Sequence, residues 1–75
     1  MVAASAGPGL ETPALSDEDV ALLRLLAEGM PIEAVARRLS TSERTVRRRT
    51  RQICDRLGVG APIQAVVWAA RHGEL

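Results

Sequence analysis

Apolar residues recur at helical spacing along the chain, and no stretch alternates with strand period over a useful length. A first amphipathic helix is predicted over residues 16–28. Its inward stripe consists of Leu22, Leu23 and Leu26. Ser16 and Asp19 stand three residues apart, as in a capping box, and Gly29 supplies a stop.

A helical pair is predicted next, separated by a short polar break. The second helix, residues 31–39, begins at Pro31, which suits a first turn because its missing N–H is not needed there. Its buried side carries Ile32, Val35, Ala36 and Leu39. After Ser40 and Thr41, Ser42 can cap a third helix over residues 43–57. The buried side of that helix carries Val46, Thr50, Ile53 and Leu57.

A fourth helix and an N-terminal arm complete the organisation. Glycine and proline force a turn after Leu57, and a helix is predicted over residues 62–71. Residues 1–14 are small, rich in glycine and proline and have little to bury, so we expect a disordered arm or linker there. The sequence therefore predicts an all-α, four-helix domain over residues 15–75.

Composition narrows the functional classes. Seventy-five residues allow one small domain, and the absence of Phe and Tyr predicts an aliphatic core. Cys54 is the single cysteine, which excludes an internal disulfide and a multi-cysteine zinc site, and it is expected to be a buried small hydrophobe. His72 has no companion ligands for a metal, and no His, Cys, Ser and acid constellation supports an enzyme. We predict no cofactor, no membrane span and a reducing, cytoplasmic location.

Charge is sorted along the chain although the formal net charge is only +1. Residues 1–33 contain six acidic residues and one arginine, whereas residues 37–56 contain eight arginines and two acidic residues. On the third predicted helix, Arg44, Arg48 and Arg51 lie opposite the apolar stripe, with Arg47 at their border. Like charges four residues apart destabilise an isolated helix, which favours a bound polyanion over the alternative of a merely solvated face.

The second helix, the polar break and the third helix form a helix-turn-helix unit, in which the second member enters the major groove of DNA. Early exposed residues then face base edges, so Arg47 and Arg48 are the first candidates for base contact. The candidates for phosphate contact are Arg44, Arg51, Thr45, Ser42, Arg37 and Arg38. Ser42 can also act simply as a cap, and both roles can hold together.

In this order and spacing, the motifs resemble the LuxR-type (GerE-like) helix-turn-helix domains of bacterial transcription regulators. The resemblance covers residues 15–75. It rests on Leu15-Ser16, on residues 23–29, on Val35-Ala36-Arg37-Arg38-Leu39, on Ser42-Glu43-Arg44-Thr45-Val46-Arg47, on Leu57-Gly58-Val59 and on Gln64-Ala65-Val66.

The resemblance implies sequence-specific binding of double-stranded DNA by the third helix. It makes Arg47 a typical contact position and places Arg44, Thr45, Arg48 and Arg51 where DNA contacts are usual. Arg49 replaces a common histidine of the family. By helical periodicity Arg49 projects beside the apolar stripe, where its stem can cover the core and its head can reach a phosphate.

The fourth helix carries apolar residues on more than one face. Ala65, Val66 and Ala69 are expected to pack inward, whereas Val67 and Trp68 lie on other faces near Arg71. A homodimer through this helix, as is common in the family, is one hypothesis, with Val67, Trp68 and Arg71 at the interface. The alternative is that Trp68 folds back over the first helix to complete the core.

Two other functions use the same arginine face. One is a protein-interaction module that docks on an acidic surface of RNA polymerase or of another regulator. The other is a promoter-recognition domain of sigma-factor type, against which the helix after Leu57-Gly58-Val59 argues. The operator, the activating or repressing effect and the regulatory signal are not encoded in recognisable motifs.

Overall fold

The computed structural model describes residues 15–75, and within that range it contains four α-helices and no strand. They are α1 (Asp17–Ala27), α2 (Ile32–Arg38), α3 (Glu43–Leu57) and α4 (Pro62–Arg71). The all-α prediction is confirmed, as are the bounds of α3 and α4. The predicted arm, residues 1–14, lies outside the described residues.

The first two helices are one residue shorter at each end than predicted, because the terminal residues serve as caps. Ser16 Oγ accepts from the Asp19 N–H at 3.1 Å, and the Asp19 carboxylate accepts from the Ser16 N–H at 3.2 Å, which completes the predicted capping box. Pro31 is the N-cap of α2 and precedes its first turn, contrary to the sequence prediction. Glu28 and Leu39 are the C-caps of α1 and α2.

The link between α2 and α3 is short and tightly wound. Ser40 has a positive φ of 57°, in the left-handed region that non-glycine residues seldom adopt. The next N–H, that of Thr41, donates to the Ala36 carbonyl oxygen at 2.9 Å, so the chain turns directly after α2. Ser42 Oγ then accepts from the Thr45 N–H at 3.1 Å and starts α3.

The core lies where α1 packs against the other three helices. Its largest fully buried side chains are Leu22, Leu23, Ile53, Val35 and Val46. The predicted stripe of α1 is incomplete, because Leu25 is buried with 8% exposure whereas Leu26 is only half-buried. A helix with neighbours on several sides buries a wider arc than one stripe.

Helix α3 contributes a threonine and a cysteine to the core, and no buried side-chain nitrogen or oxygen atom within residues 15–75 lacks a hydrogen bond. Thr50 is buried, and its Oγ1 donates to the Val46 carbonyl oxygen at 2.7 Å. Cys54 is buried as predicted, and this burial, with the nearby Asp55 carboxylate, raises the pKa of its thiol. The interior side of α3 is therefore fixed in the core, and its opposite side faces outward.

Candidate nucleic-acid interface

The outward side of α3 carries four arginines. Arg44, Arg47, Arg48 and Arg51 are all exposed, whereas Val46, Thr50 and Ile53 on the same helix are buried. Packing of the apolar side against α1, α2 and α4 determines which way these guanidinium groups point. We call Arg44, Arg47, Arg48 and Arg51 the arginine face.

One member of the arginine face has an acidic partner on its own helix. Arg47 Nη2 lies 3.4 Å from Glu43 Oε1, and both side chains are largely exposed, at 64% and 48%. An exposed pair at this helical spacing contributes only about 0.3 to 0.5 kcal/mol. The pair is weak enough that Arg47 can exchange Glu43 for another acceptor.

Arg49 is oriented differently from its neighbours. It is half-buried, and its Nη1 lies 3.6 Å from Glu18 Oε1 in the first turn of α1. Its position beside the apolar stripe agrees with helical periodicity. Its guanidinium group, however, contacts the Glu18 carboxylate, so Arg49 is not counted in the arginine face.

A second contact between α1 and α3 was not foreseen from the sequence. Arg56 Nη1 donates to Asp19 Oδ2 at 2.9 Å, and the Asp19 side chain is only 13% exposed. Partial burial acts to raise the pKa of Asp19, but hydrogen bonds from Arg56 and the Ser16 N–H outweigh it and hold the pKa below its ordinary value. This contact fixes the C-terminal half of α3 against the start of α1.

The hydroxyl groups at the start of α3 have distinct roles. Ser42 Oγ accepts from the Thr45 N–H and donates to Thr45 Oγ1 at 3.0 Å, so its proton is used within the cap. Thr45 Oγ1 accepts that bond and retains its own proton for an outside acceptor. Of the two predicted phosphate donors, Thr45 is therefore the better placed.

Two further candidates lie on α2. Arg37 and Arg38 form its last turn, and both are exposed. This is the end of α2 that leads through the short turn into α3. Cations are favoured at a helix C-terminus, so their position also suits the helix dipole.

The α4 surface is partly apolar. Ile63 and Val67 are 66% and 42% exposed, and Arg71 is exposed. Trp68 is half-buried against the core and stacks on His72, with ring centroids 3.8 Å apart. His72 Nδ1–H donates to the Trp68 carbonyl oxygen at 2.8 Å. Val67, Trp68 and Arg71 together line a shallow groove of about 350 Å³.

The described residues contain neither a cluster of metal ligands nor a membrane-spanning helix. Within residues 15–75, no group of three or more His, Cys, Asp or Glu side chains is arranged to hold a metal ion. None of the helices described is both long and apolar enough to span a bilayer.

Comparison with known proteins gives consistent matches. Residues 13–69 match the family model described as bacterial regulatory proteins, luxR family. The chain is 36% identical over 61 residues to the transcriptional regulatory protein YdfI of Bacillus subtilis (strain 168), an alignment that covers 81% of this chain and 29% of that protein. It is 45% identical over 56 residues to the bialaphos biosynthetic pathway regulatory protein of Streptomyces hygroscopicus, covering 75% of this chain and 22% of that protein.

The chain thus spans less than a third of the length of either relative. No solved structure matches it significantly.

Proposed function

We propose that this chain, which belongs to the luxR family of bacterial regulatory proteins, binds a specific double-stranded DNA sequence by inserting α3 into the major groove. Its family and relatives assign the domain to DNA-binding transcription regulation. The observation that carries the finer proposal is the arginine face, because four exposed guanidinium groups share the side of α3 opposite the core.

The proposal gives the basic residues different roles. Arg47 and Arg48 lie on the second turn of α3, where side chains of a recognition helix face base edges, and a guanidinium fork matches the O6 and N7 acceptors of guanine. Arg44 and Arg51 bind phosphates on either side. These roles are supported by their exposure and by their helical positions.

Other side chains bind the DNA backbone. Thr45 donates its hydroxyl proton to a phosphate, and Arg37 and Arg38 contact the backbone from the end of α2. Ser42 supports this contact mainly by capping α3 and orienting Thr45. Arg49 adds a phosphate contact only if its guanidinium group leaves Glu18.

Selection of bound duplexes from a random pool tests the proposal. Arg47→Ala and Arg48→Ala should relax the preference at particular base pairs and cost about 1 to 3 kcal/mol on the preferred site. Arg37→Ala and Arg38→Ala should weaken all sequences about equally. The reverse pattern would mean that α2, not α3, reads the bases.

Duplex binding also distinguishes this proposal from the alternative, in which the arginine face docks on RNA polymerase or another regulator. No duplex binding even at low salt would favour that interaction module and would end the DNA proposal. As a regulator that binds a bacterial operator, the protein is proposed to act in the cytoplasm.

We further propose that two copies bind DNA together through α4. The support is the exposed apolar side of that helix at Val67, continued by Trp68 and bordered by Arg71. Trp68→Ala should then lower the cooperativity of binding to a two-half-site duplex while leaving binding to a single half-site unchanged. A monomer on DNA at high protein concentration would contradict the dimer.

A further inference from the structure

Glu43 puts a negative charge on the surface of α3 that is proposed to bind DNA. It is the first residue of α3, it is exposed, and it lies among guanidinium groups that are proposed to approach a polyanion. It is also the only acidic residue in residues 43–54. A carboxylate at this position repels phosphates, so we expect it to make a favourable contact that compensates for this repulsion.

The fold does not depend on this carboxylate. The cap of α3 is made by Ser42 and the Thr45 N–H, without Glu43. The Glu43 side chain contacts Arg47 in an exposed ion pair at 3.4 Å. The carboxylate also interacts favourably with the helix dipole, because it lies in the first turn, and this effect is modest.

The hydrogen-bonding pattern of the DNA bases offers a role for the Glu43 carboxylate. The major-groove edge of cytosine offers an N4–H donor, which requires an acceptor side chain. The guanidinium groups of the arginine face are donors only, so they read guanine but cannot read cytosine. Glu43 is an exposed acceptor at the N-terminal end of the helix, the part that approaches base edges most closely in a helix-turn-helix.

We infer that Glu43 determines part of the sequence specificity by accepting a hydrogen bond from a cytosine N4–H while Arg47 binds a nearby guanine. The inference rests on the proposed function of α3. Four residues along a helix span about 6 Å, close to two base-pair steps of about 3.4 Å each. The Glu43 and Arg47 side chains therefore reach base pairs within two steps of each other, and their contact at 3.4 Å places both on one side of α3.

The test compares the sequences selected from random duplexes by the wild type, Glu43→Gln and Arg47→Ala. The wild type should select a cytosine within two base pairs of the guanine that depends on Arg47. Glu43→Gln should reduce the preference for that cytosine at least about fivefold and should admit adenine, which glutamine binds through N6 and N7. The guanine preference should remain.

Glu18→Gln is the matched control. Glu18 is likewise an exposed glutamate paired with an α3 arginine, at 3.6 Å, but it lies on α1 and pairs with Arg49. Its substitution removes the same charge without changing an acceptor at the start of α3. The control should select the same sequences as the wild type.

Three results would overturn the inference. A uniform gain in the affinity of Glu43→Gln for all sequences would show that Glu43 only repels phosphates. A loss confined to the guanine read by Arg47 would show that Glu43 only positions that arginine. An unchanged selected sequence would show no role in recognition. Failure of the proposed function itself is distinct, because the wild type would then select no sequence.

Discussion

Removal of the Arg51 guanidinium group tests whether the arginine face binds phosphates. Arg51 is exposed and has no ion pair within residues 15–75. In the proposed complex, four arginines per domain contact phosphates, namely Arg37, Arg38, Arg44 and Arg51. Since each neutralised phosphate contributes about −0.9 to the slope of log affinity against log salt, the wild type should have a slope of about −3.6 on a duplex with a single half-site, which binds one domain.

Arg51→Ala should change that slope to about −2.7. For a fourfold increase in salt, the expected loss of affinity is then about 150-fold for the wild type and about 40-fold for the variant. Fluorescence anisotropy with a labelled duplex, repeated over a series of salt concentrations, measures both slopes. The absolute affinity at one salt concentration does not make this distinction.

Arg56→Ala is the control for a loss of one positive charge on α3. Arg56 is held by Asp19 at 2.9 Å, so its substitution should leave the salt slope unchanged and lower the stability instead. Equal slopes for Arg51→Ala and the wild type would refute the phosphate role of Arg51. A wild-type slope of about −1.8 or shallower, which Arg37 and Arg38 alone would give, would refute phosphate binding by the arginine face.

Two further predictions concern stability and use urea unfolding. Asp19→Asn should lower the free energy of unfolding by about 1 to 2 kcal/mol, because it weakens both the capping box and the pair with Arg56. Because the pKa of Asp19 is lowered in the folded state, its charged form stabilises the fold fully above the ordinary pKa of 3.8, and this stabilisation is lost as the pH falls through the folded-state pKa. If the difference in unfolding free energy between the wild type and Asp19→Asn does not shrink on acidification, this reasoning is contradicted. Gly58→Ala should lower the free energy of unfolding by about 1 kcal/mol, because Gly58 has a φ of 74°. Gly60→Ala should lower it less, because the added Cβ meets Gln64 at an ordinary 3.6 Å, and equal losses for the two variants would contradict the argument from backbone geometry.

The helices of this domain could be predicted because their signals are local. Ser16 and Ser42 act as caps, and Gly58 ends α3 with left-handed backbone geometry. The periodicity of α3 also places its arginines correctly on the exposed side. Each of these features depends on residues within a few positions of one another, so the sequence contains the necessary information.

Features that depend on packing could not be predicted in the same way. Leu25 is buried because α1 has neighbours on several sides, which its own periodicity does not reveal. The sequence places acidic residues at the start of α1 and a basic block on α3, but only the packing of the two helices selects the pairs of Arg49 with Glu18 and Arg56 with Asp19. Periodicity places Arg49 beside the apolar stripe, but it does not identify the carboxylate that either arginine contacts.

The central claim is that the arginine face reads guanine from the major groove. Replacing the guanines of a selected site by 7-deazaguanine removes the N7 acceptor in the major groove, whereas replacing them by hypoxanthine removes the N2 amino group in the minor groove. We predict that the 7-deazaguanine duplex binds at least about fivefold more weakly and that the hypoxanthine duplex binds about as well as the original. Loss of binding with hypoxanthine alone would contradict the claim.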